Sequence, residues 1–405
     1  MKKKSFALGA LFGGSCCLLA VMVFSLVLVF TGRVSIPVSD SAVEGSRELR
    51  SKIERKAKEL EKYIDTYFLD EIDGEKMADS VYKGIVDGLG DDYAAYYNKE
   101  EYKEIQESTS GVFCGIGAYI AVDPETGIVS IVKPMDKSPA KKAGVRAGDV
   151  VFAVDGKEVT GMEISQVQAL VKGEKGTKVT LTIVRDNEKK KVEVTRDEIE
   201  EDTVAYQMLP GKIGYVQVSS FEQVTPEQYK KAIDSLEKKG QKGMIIDLRD
   251  NGGGLLDAAV EMLDRILPEG VVVYSKDKDG DTQKFYVEDD DTFDKPLVIL
   301  VNENSASASE VFSGAIQDEK AGVLAGTRTF GKGIVQSLFD LGDGTGLKMT
   351  TAKYYTPKGR NIHGKGLSPD VKAELTEEKT KLSDGKTEID SQMKVAYDYL
   401  IDKCR

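Results

Sequence analysis

The amino-acid sequence predicts an α/β multidomain protein: an N-terminal transmembrane helix, a helical arm, a β-rich module and an α/β core. Three observations predict this organisation. Residues 5–32 contain no charged side chain. Residues 111–196 are rich in Val, Ile, Gly and Thr in short alternating runs, which is typical of strands. From about Ile213 onward, apolar strands alternate with amphipathic helices, and this order implies a partly parallel sheet.

The segment 5–32 is predicted to be a membrane anchor. It follows Lys2–Lys4 and precedes Arg33, and an apolar stretch of about 20 residues is enough to span a bilayer. A cleaved signal peptide is the alternative, but its apolar region is shorter, about 7–15 residues, and ends at a small-residue site. Lysines before the span favour a cytoplasmic N-terminus. Residues 34–405 are therefore expected outside the cytoplasm, held at the cell membrane by a single pass.

Periodicity and composition divide the rest of the chain. Ile53, Leu60 and Ile64 recur at steps of four or seven with charges between them, which predicts an amphipathic helix. Strands are predicted at 128–132, 179–184, 214–218, 244–248 and 297–301, and helices at 77–89, 165–171, 226–239, 255–267, 308–317 and 390–402. The predicted regions are an anchor at 5–32, a linker at 33–46, a helical arm at 47–110, a β-rich module at 111–196, an α/β core at 197–375 and a C-terminal helical region at 376–405.

The composition excludes several kinds of site. A net charge of −12 argues against nucleic acid as a partner. His363 is the single histidine, so a multi-histidine metal site is excluded within one chain, and we predict neither a metal nor a cofactor. Cys16 and Cys17 lie in the apolar segment. Cys114 and Cys404 remain, too few for a disulfide framework, and whether they form one bridge stays open.

Asn302–Glu310 contains a candidate nucleophile, Ser307, between the predicted strand 297–301 and the helix that follows. At such a turn backbone N–H groups converge, and the helix N-terminus favours developing negative charge. Ser307 and Glu310 also have the S-x-x-E spacing of a capping box. This segment alone leaves a nucleophile and a simple helix cap equally open.

Lys332 lies between Gly331 and Gly333, a setting that lets it approach another backbone closely. A lysine acts as a general base only if burial lowers its pKa enough to make it largely neutral. Gln336 is four residues further on and uncharged, so it is suited to orient the amine without raising its pKa. A solvated loop lysine is the alternative.

The segment Asp247–Gly254 ends in three glycines, which let backbone N–H groups approach a ligand. It lacks the lysine-serine ending of a phosphate-binding loop and the spacing of a dinucleotide fingerprint. An oxyanion hole is the functional interpretation we favour, and a bare turn is the structural alternative.

Together these motifs resemble the carboxyl-terminal processing peptidases, which are tail-specific serine proteases with a PDZ domain. The resemblance covers nearly the whole chain beyond the anchor, in the family's order of arm, PDZ domain and catalytic core. The stretches that resemble the PDZ region and its lead-in are Leu89–Tyr93, Phe113–Ala118, Gly144–Val151 and Val154–Gly156.

The resemblance implies a PDZ domain at 111–196, a ClpP/crotonase-like protease core and substrates that are proteins or peptides with free C-termini. It implies these roles: Ser307 as nucleophile, Lys332 as base, Gln336 as the residue that orients the lysine, Gly253 and Ala308 as oxyanion donors, and Gly115, Ile116 and Gly117 as the site for the substrate C-terminus. Two residues depart from the family pattern. Lys172 stands where many relatives have an arginine that the resemblance suggests couples the PDZ domain to activity, and Cys114 replaces a small residue.

Other functions stay open at this stage. A serine hydrolase that uses His363 as base is one, and a catalytically silent, membrane-tethered PDZ adaptor is another. A protease that needs a partner for activity is not distinguishable from an active one by sequence. The arm and the C-terminal helix are both able to form a homodimer, without a specific signal in either.

Overall fold

The computed structural model describes residues 40–288 and 292–404. The predicted anchor at 5–32 lies outside these residues. In the part of the chain that is described, no helix has both the length and the apolar character that a bilayer span requires. The chain divides into two units, residues 1–90 with 340–345, and residues 91–339 with 346–405.

The described part of the first unit, from residue 40 onward, contains the helices α1 (Asp40–Tyr67) and α2 (Gly74–Asp87). The linker prediction for 33–46 was wrong from residue 40 onward, because only Pro37 in that segment is incompatible with a helix interior. α2 begins at an N-cap, where the Asp73 carboxylate accepts a hydrogen bond from the Lys76 N–H at 3.0 Å.

The second unit begins with a strand and a helix, β1 (Ala95–Tyr97) and α3 (Lys99–Ser110). A capping box at Asn98 and Glu101 fixes the start of α3, with reciprocal hydrogen bonds of 3.0 Å. The prediction of a wholly helical arm missed β1, because its partner strand lies far away in the sequence: Ala95 pairs with Lys348.

The β-rich module is built on an antiparallel sheet. Its core forms because apolar side chains alternate along the strands: Val179, Leu181 and Ile183 are all fully buried. The elements are β2 (Val112–Gly115), β3 (Ala118–Val122), β4 (Val129–Pro134), α4 (Pro139–Lys142), β5 (Val150–Val154), β6 (Lys157–Glu158), α5 (Ile164–Val171), β7 (Lys178–Arg185), β8 (Glu188–Thr195) and β9 (Asp197–Glu200). The sheet order is β3-β4-β5-β7-β8, with β6 on β5, while β2 pairs with β9.

The α/β core follows as β10 (Val204–Leu209), β11 (Ile213–Val218), α6 (Thr225–Lys238), β12 (Gly243–Asp247), α7 (Leu256–Leu263), β13 (Gly270–Asp277), β14 (Thr282–Val287), β15 (Leu297–Val301), α8 (Ala308–Glu319), β16 (Val323–Gly326), β17 (Ile334–Asp340), β18 (Gly346–Tyr355) and β19 (Val371–Lys372). Its main sheet has the order β10-β11-β12-β15-β16-β19. The pairings from β11 to β19 are parallel. α7 ends before the predicted residue 267, because Pro268 disfavours helical backbone just before it.

Both faces of the main sheet are covered, as expected for parallel strands with continuous apolar sequence. Met244 and Ile246 of β12 pack into the cluster that includes Phe312 of α8. The intervening Ile245 faces the other side and packs in the cluster of Leu400. Because β12 and β15 are parallel neighbours, the loops after their carboxyl ends meet at one edge of the sheet.

A second sheet has the order β1-β18-β13-β14, with β17 on β18. The C-terminal region contains the hairpin β20 (Lys379–Lys381) and β21 (Glu388–Asp390) before α9 (Ser391–Lys403). The prediction of a purely helical region at 376–405 therefore missed this hairpin. Its strands are too short to show an alternating pattern in the sequence.

Arg249 joins the C-terminal region to the main sheet. Its guanidinium donates to the Asp247 carboxylate at 2.7 and 2.9 Å and to both oxygens of Asp390 at 3.0 Å. Asp390 also caps α9, because its carboxylate accepts from the Met393 N–H at 2.8 Å. The Arg249 and Asp247 side chains are only 12% and 2% exposed, so this network is shielded from solvent.

We expect Arg249→Met to lower the free energy of unfolding by about 3 kcal/mol, because it leaves a buried carboxylate without its cation. Urea denaturation followed by circular dichroism measures the change. Lys230→Met is the control: its pair with Asp234 lies on the exposed face of α6, so the loss should stay within about 0.5 kcal/mol. Equal losses in the two variants would contradict the role assigned to Arg249.

Candidate active site

Three serines follow β15, and the structure gives them different environments. Ser305 and Ser309 are fully buried, and their hydroxyl groups donate to the carbonyl oxygens of Leu248 and Asn251 at 2.7 and 2.9 Å. Ser307 is only partly buried. The two outer serines thus fix the turn to the neighbouring loop, and the middle one is more accessible than either.

The backbone of Ser307 is strained, with φ 55° and ψ −115° at the start of α8. A residue with a side chain rarely adopts a positive φ, and such strain concentrates at functional sites. A strained strand-to-helix turn is also how hydrolases expose a nucleophilic serine. The turn also keeps the capping-box arrangement of Ser307 and Glu310, so the strained backbone is compatible with a nucleophile and does not replace the helix-cap interpretation.

The buried carboxylate of Glu310 joins the Ser307 turn to the Lys332 loop. One of its oxygens accepts from the Ser307 N–H at 3.0 Å and from the Lys332 N–H at 2.7 Å. The other accepts from the Thr329 hydroxyl at 2.6 Å and the Gly331 N–H at 2.8 Å. The Ser307 and Lys332 N–H groups thus share one acceptor oxygen, which links the two backbones through two hydrogen bonds.

The glycines around Lys332 allow its loop to pack against another backbone. A Cβ added at Gly331 would lie 2.9 Å from the Gly366 nitrogen, and one at Gly333 would lie 2.4 Å from the His363 nitrogen. Both are closer than a real Cβ contact, so side chains are excluded on either side of Lys332. This is the close approach that the glycines predicted.

The Lys332 amine lies 4.6 Å from the centroid of the Tyr93 ring. Burial lowers the pKa of this amine, Lys348 lowers it further, and Asp91 opposes the shift. The Asp91 carboxylate is fixed by hydrogen bonds of 3.1 Å from the N–H groups of Tyr93 and Thr350. The lowered pKa is the property that a lysine base requires, although the aromatic face favours the charged form.

Gly253 lies directly against the Ser307 turn. A Cβ added at Gly253 would lie 2.8 Å from the Ser307 Cβ and 3.0 Å from the Ala308 nitrogen, so only glycine fits. Its own N–H donates to the Asn251 side-chain oxygen at 2.8 Å. One predicted oxyanion donor is therefore engaged in this structure. Ala308 is the first residue of α8, where an N–H has no acceptor within the helix.

Gln336 lies in β17, next to the Lys332 loop. Its side-chain nitrogen is buried and lacks a hydrogen-bond partner within the described residues. Buried polar atoms are normally paired, so this amide has capacity for a further contact.

The His363 side chain is exposed to solvent. The described residues show no hydrogen bond from its ring to Ser307.

The residues predicted to bind a C-terminus line one groove. Gly115, Ile116, Gly117 and Lys172 all contribute to a cavity of about 320 Å³. The Ile116 and Gly117 carbonyl groups accept from Ala140 and Met135 N–H groups at 2.8 and 3.0 Å. Within the described residues, the N–H groups of Ile116 and Gly117 donate to no acceptor, so they are available to a ligand.

Sequence reasoning missed several residues at this site. Glu310 was seen as half of a capping box, and that S-x-x-E spacing was the available signal. Asp91 and Tyr93 lie in the stretch Leu89–Tyr93 that resembles the family, but nothing in that stretch indicated a contact with Lys332. Lys348 gave no local signal, because it reaches Lys332 only through the folded chain. Cys114 and Cys404 are both free thiols, which answers the open question of a bridge.

Two family models match the chain: Peptidase family S41 over residues 212–373 and a PDZ domain over residues 131–185. The chain is 38% identical over 358 residues to the carboxy-terminal processing protease CtpA of Bacillus subtilis, covering 88% of this chain and 75% of that protein. It is 41% identical over 300 residues to a probable CtpA-like serine protease of Staphylococcus haemolyticus, covering 73% of this chain and 60% of that protein.

Among solved structures, the photosystem II D1 C-terminal processing protease matches with 32% identity and a TM-score of 0.47, covering 78% of this chain and 85% of that one. The family assignment rests on the sequence relatives, because the Bacillus subtilis protein is 38% identical to this chain and is matched over 75% of its length. The chain belongs to peptidase family S41, and it is a serine-type peptidase of the carboxy-terminal processing group with a PDZ domain.

Proposed function

We propose that this protein is a membrane-anchored serine endopeptidase that cleaves extracytoplasmic proteins with a Ser307–Lys332 dyad. The observation that supports this most directly is the strained, partly exposed Ser307 turn, joined through Glu310 to the loop of a lysine with a lowered pKa. The anchor is segment 5–32, which places residues 34–405 outside the cytoplasm.

In the proposed reaction, the Lys332 amine leaves the face of Tyr93 and approaches the Ser307 hydroxyl. The neutral amine takes the hydroxyl proton as the serine oxygen bonds to the scissile carbonyl carbon. The proton then passes to the leaving amide nitrogen, the C–N bond breaks, and water hydrolyses the acyl-enzyme. In the proposal, the Gln336 side-chain oxygen accepts an N–H of the Lys332 amine and orients it, which leaves the amine lone pair free for the serine proton.

The oxyanion that forms is stabilised by the N–H groups of Ala308 and Gly253. Ala308 stands in the first turn of α8, where the helix dipole favours negative charge. For Gly253 to donate, its hydrogen bond to Asn251 must be released. A small movement of the glycine loop is therefore part of the proposed activation. Each such donor contributes about 10²–10³ to the rate in other acyl-transfer enzymes.

The PDZ domain recruits substrates by their free C-termini. The carboxylate binds the N–H groups around Gly115, Ile116 and Gly117, and the tail adds a strand along β3. Lys172 sits beside this groove and, in the proposal, couples its occupancy to activity. Its amine is 3.3 Å from the Glu107 carboxylate. As a lysine it lacks the bidentate geometry of arginine. A homodimer remains a prediction.

We expect Ser307→Ala and Lys332→Ala each to reduce cleavage of an unfolded protein with an apolar C-terminus by about 10³-fold or more, because the dyad acts as a unit. Gel-based cleavage assays on the full chain in detergent measure this. Ser235→Ala is the control, since Ser235 lies in α6, outside the loops that hold Ser307 and Lys332, and its activity should stay within about twofold.

If either dyad variant still cleaves at the parent rate, the catalytic assignment is wrong. If parent and variants are all inactive, the silent PDZ adaptor becomes the better description.

We expect Asp91→Asn and Lys348→Gln to move the pH dependence of kcat/KM in opposite directions. The Asp91 charge raises the pKa of Lys332 and the Lys348 charge lowers it. Asp91→Asn therefore leaves the amine neutral at lower pH, and the acidic limb shifts down. Lys348→Gln shifts that limb up. The limb reports the base in the free enzyme.

Lys353→Gln is the matched control. Lys353 lies on β18 like Lys348, and the substitution removes one positive charge from a side chain that is exposed to solvent. Its profile should overlay the parent. Shifts in the same direction for Asp91→Asn and Lys348→Gln would exclude Lys332 as the titrating base.

Amidating the substrate C-terminus should slow cleavage by about tenfold or more, because the amide lacks the charge that the PDZ loop binds. Steady-state rates for paired acid and amide peptides test this. Equal rates would remove C-terminal recognition from the mechanism.

A further inference from the structure

We propose that the PDZ groove selects C-termini in which an apolar last residue is preceded by Lys or Arg. This inference rests on the proposed function of the groove and adds the class of sequence that it accepts. The geometry points to this class because the groove combines an apolar base with acidic walls.

The groove is not formed by the PDZ domain alone. Its apolar lining comes from PDZ side chains, among them Phe113, Ile120 and Met135. One wall is the helix α3, which precedes the domain and contributes Glu104, Glu107 and Ser108. A peptide that binds here therefore contacts an acidic helix as well as the PDZ sheet.

The charges around the groove do not balance. Its lining includes three carboxylates, from Glu104, Glu107 and Glu201, against a single amine from Lys172. Glu107 already pairs with Lys172, at 3.3 Å between the amine and the carboxylate oxygen. Within the described residues no ion pair is recorded for Glu104 or Glu201. Two carboxylates thus remain for an incoming cation.

The Glu201 charge also acts on Tyr119. This residue lies on β3, where the bound tail is expected, and it also lines the groove. Burial raises the pKa of its hydroxyl, and the nearby carboxylates of Asp202 and Glu201 raise it further. The same field favours a cation on the bound peptide.

The position of the carboxylates determines which peptide residues they read. The C-terminal carboxylate occupies the Gly115–Gly117 loop, so the last side chain enters the apolar base. Residues before it run along β3, within the groove that α3 and Glu201 also line. Basic side chains are therefore preferred upstream of the last residue, and acidic ones are opposed by like charge.

The test uses the full chain with Ser307→Ala, in nonionic detergent, and fluorescently labelled twelve-residue peptides that end in the same Ala-Val free acid. Three upstream positions contain Lys, Gln or Glu. By fluorescence anisotropy at physiological salt, we expect the Lys peptide to bind about tenfold more tightly than the Glu peptide, with Gln between them.

Glu104→Gln combined with Glu201→Gln should reduce this ratio towards one. Glu188→Gln combined with Glu193→Gln is the matched control, because it removes the same charge from β8, outside the groove, and it should leave the ratio unchanged.

The outcomes separate this inference from the function on which it rests. Equal binding of the three free acids would overturn the preference for basic residues and leave C-terminal recognition intact. If the preference for the Lys peptide persists when Glu104→Gln and Glu201→Gln are combined, the assignment to these two carboxylates is wrong. Equal binding of a free acid and its amide, or no binding of any peptide, would overturn C-terminal recognition itself.

Discussion

The site depends on one buried carboxylate. Glu310 is fully inaccessible to solvent and accepts four hydrogen bonds, from Ser307, Thr329, Gly331 and Lys332. Burying a carboxylate raises the free energy of the folded state unless donors bond its oxygens. Displacing any of the four donors is therefore unfavourable. Because the donors belong to two separate loops, this single side chain fixes the distance between the candidate nucleophile and the loop of its base.

The neighbouring loop adds a second constraint through Asn251. Its carbonyl accepts from the Ser309 hydroxyl at 2.9 Å and from the Ala306 N–H at 3.1 Å, one on each side of Ser307. Its side-chain oxygen accepts from Gly253 at 2.8 Å. Asn251 thus fixes the turn and at the same time engages the Gly253 N–H that we propose as an oxyanion donor. The backbone framework is assembled, while the groups proposed to perform the reaction are engaged elsewhere.

The sequence predicted those parts of the fold that follow from local pattern. The strand Leu297–Val301 was predicted with its observed bounds, because a continuous apolar run between polar turns has few other solutions. The glycines beside Lys332 predicted close packing, because the absence of a side chain lets two backbones approach each other. In contrast, the strand β1 and the contact between Tyr93 and Lys332 were not predicted, because a short strand and a cation–π contact depend on partners far away in the chain. Side-chain positions such as that of the Lys332 amine are set by tertiary contacts alone.

The position of that amine affects its protonation state. An aromatic face stabilises an ammonium group, whereas burial and the charge of Lys348 favour the neutral amine. At Tyr93 the aromatic face and Asp91 favour the charged amine, whereas burial and Lys348 lower its pKa. In the proposed mechanism, moving the amine away from Tyr93 removes the aromatic contact that favours the charge. The displacement that brings the amine to the serine thus also favours its deprotonation, and a substrate that promotes this displacement generates the base.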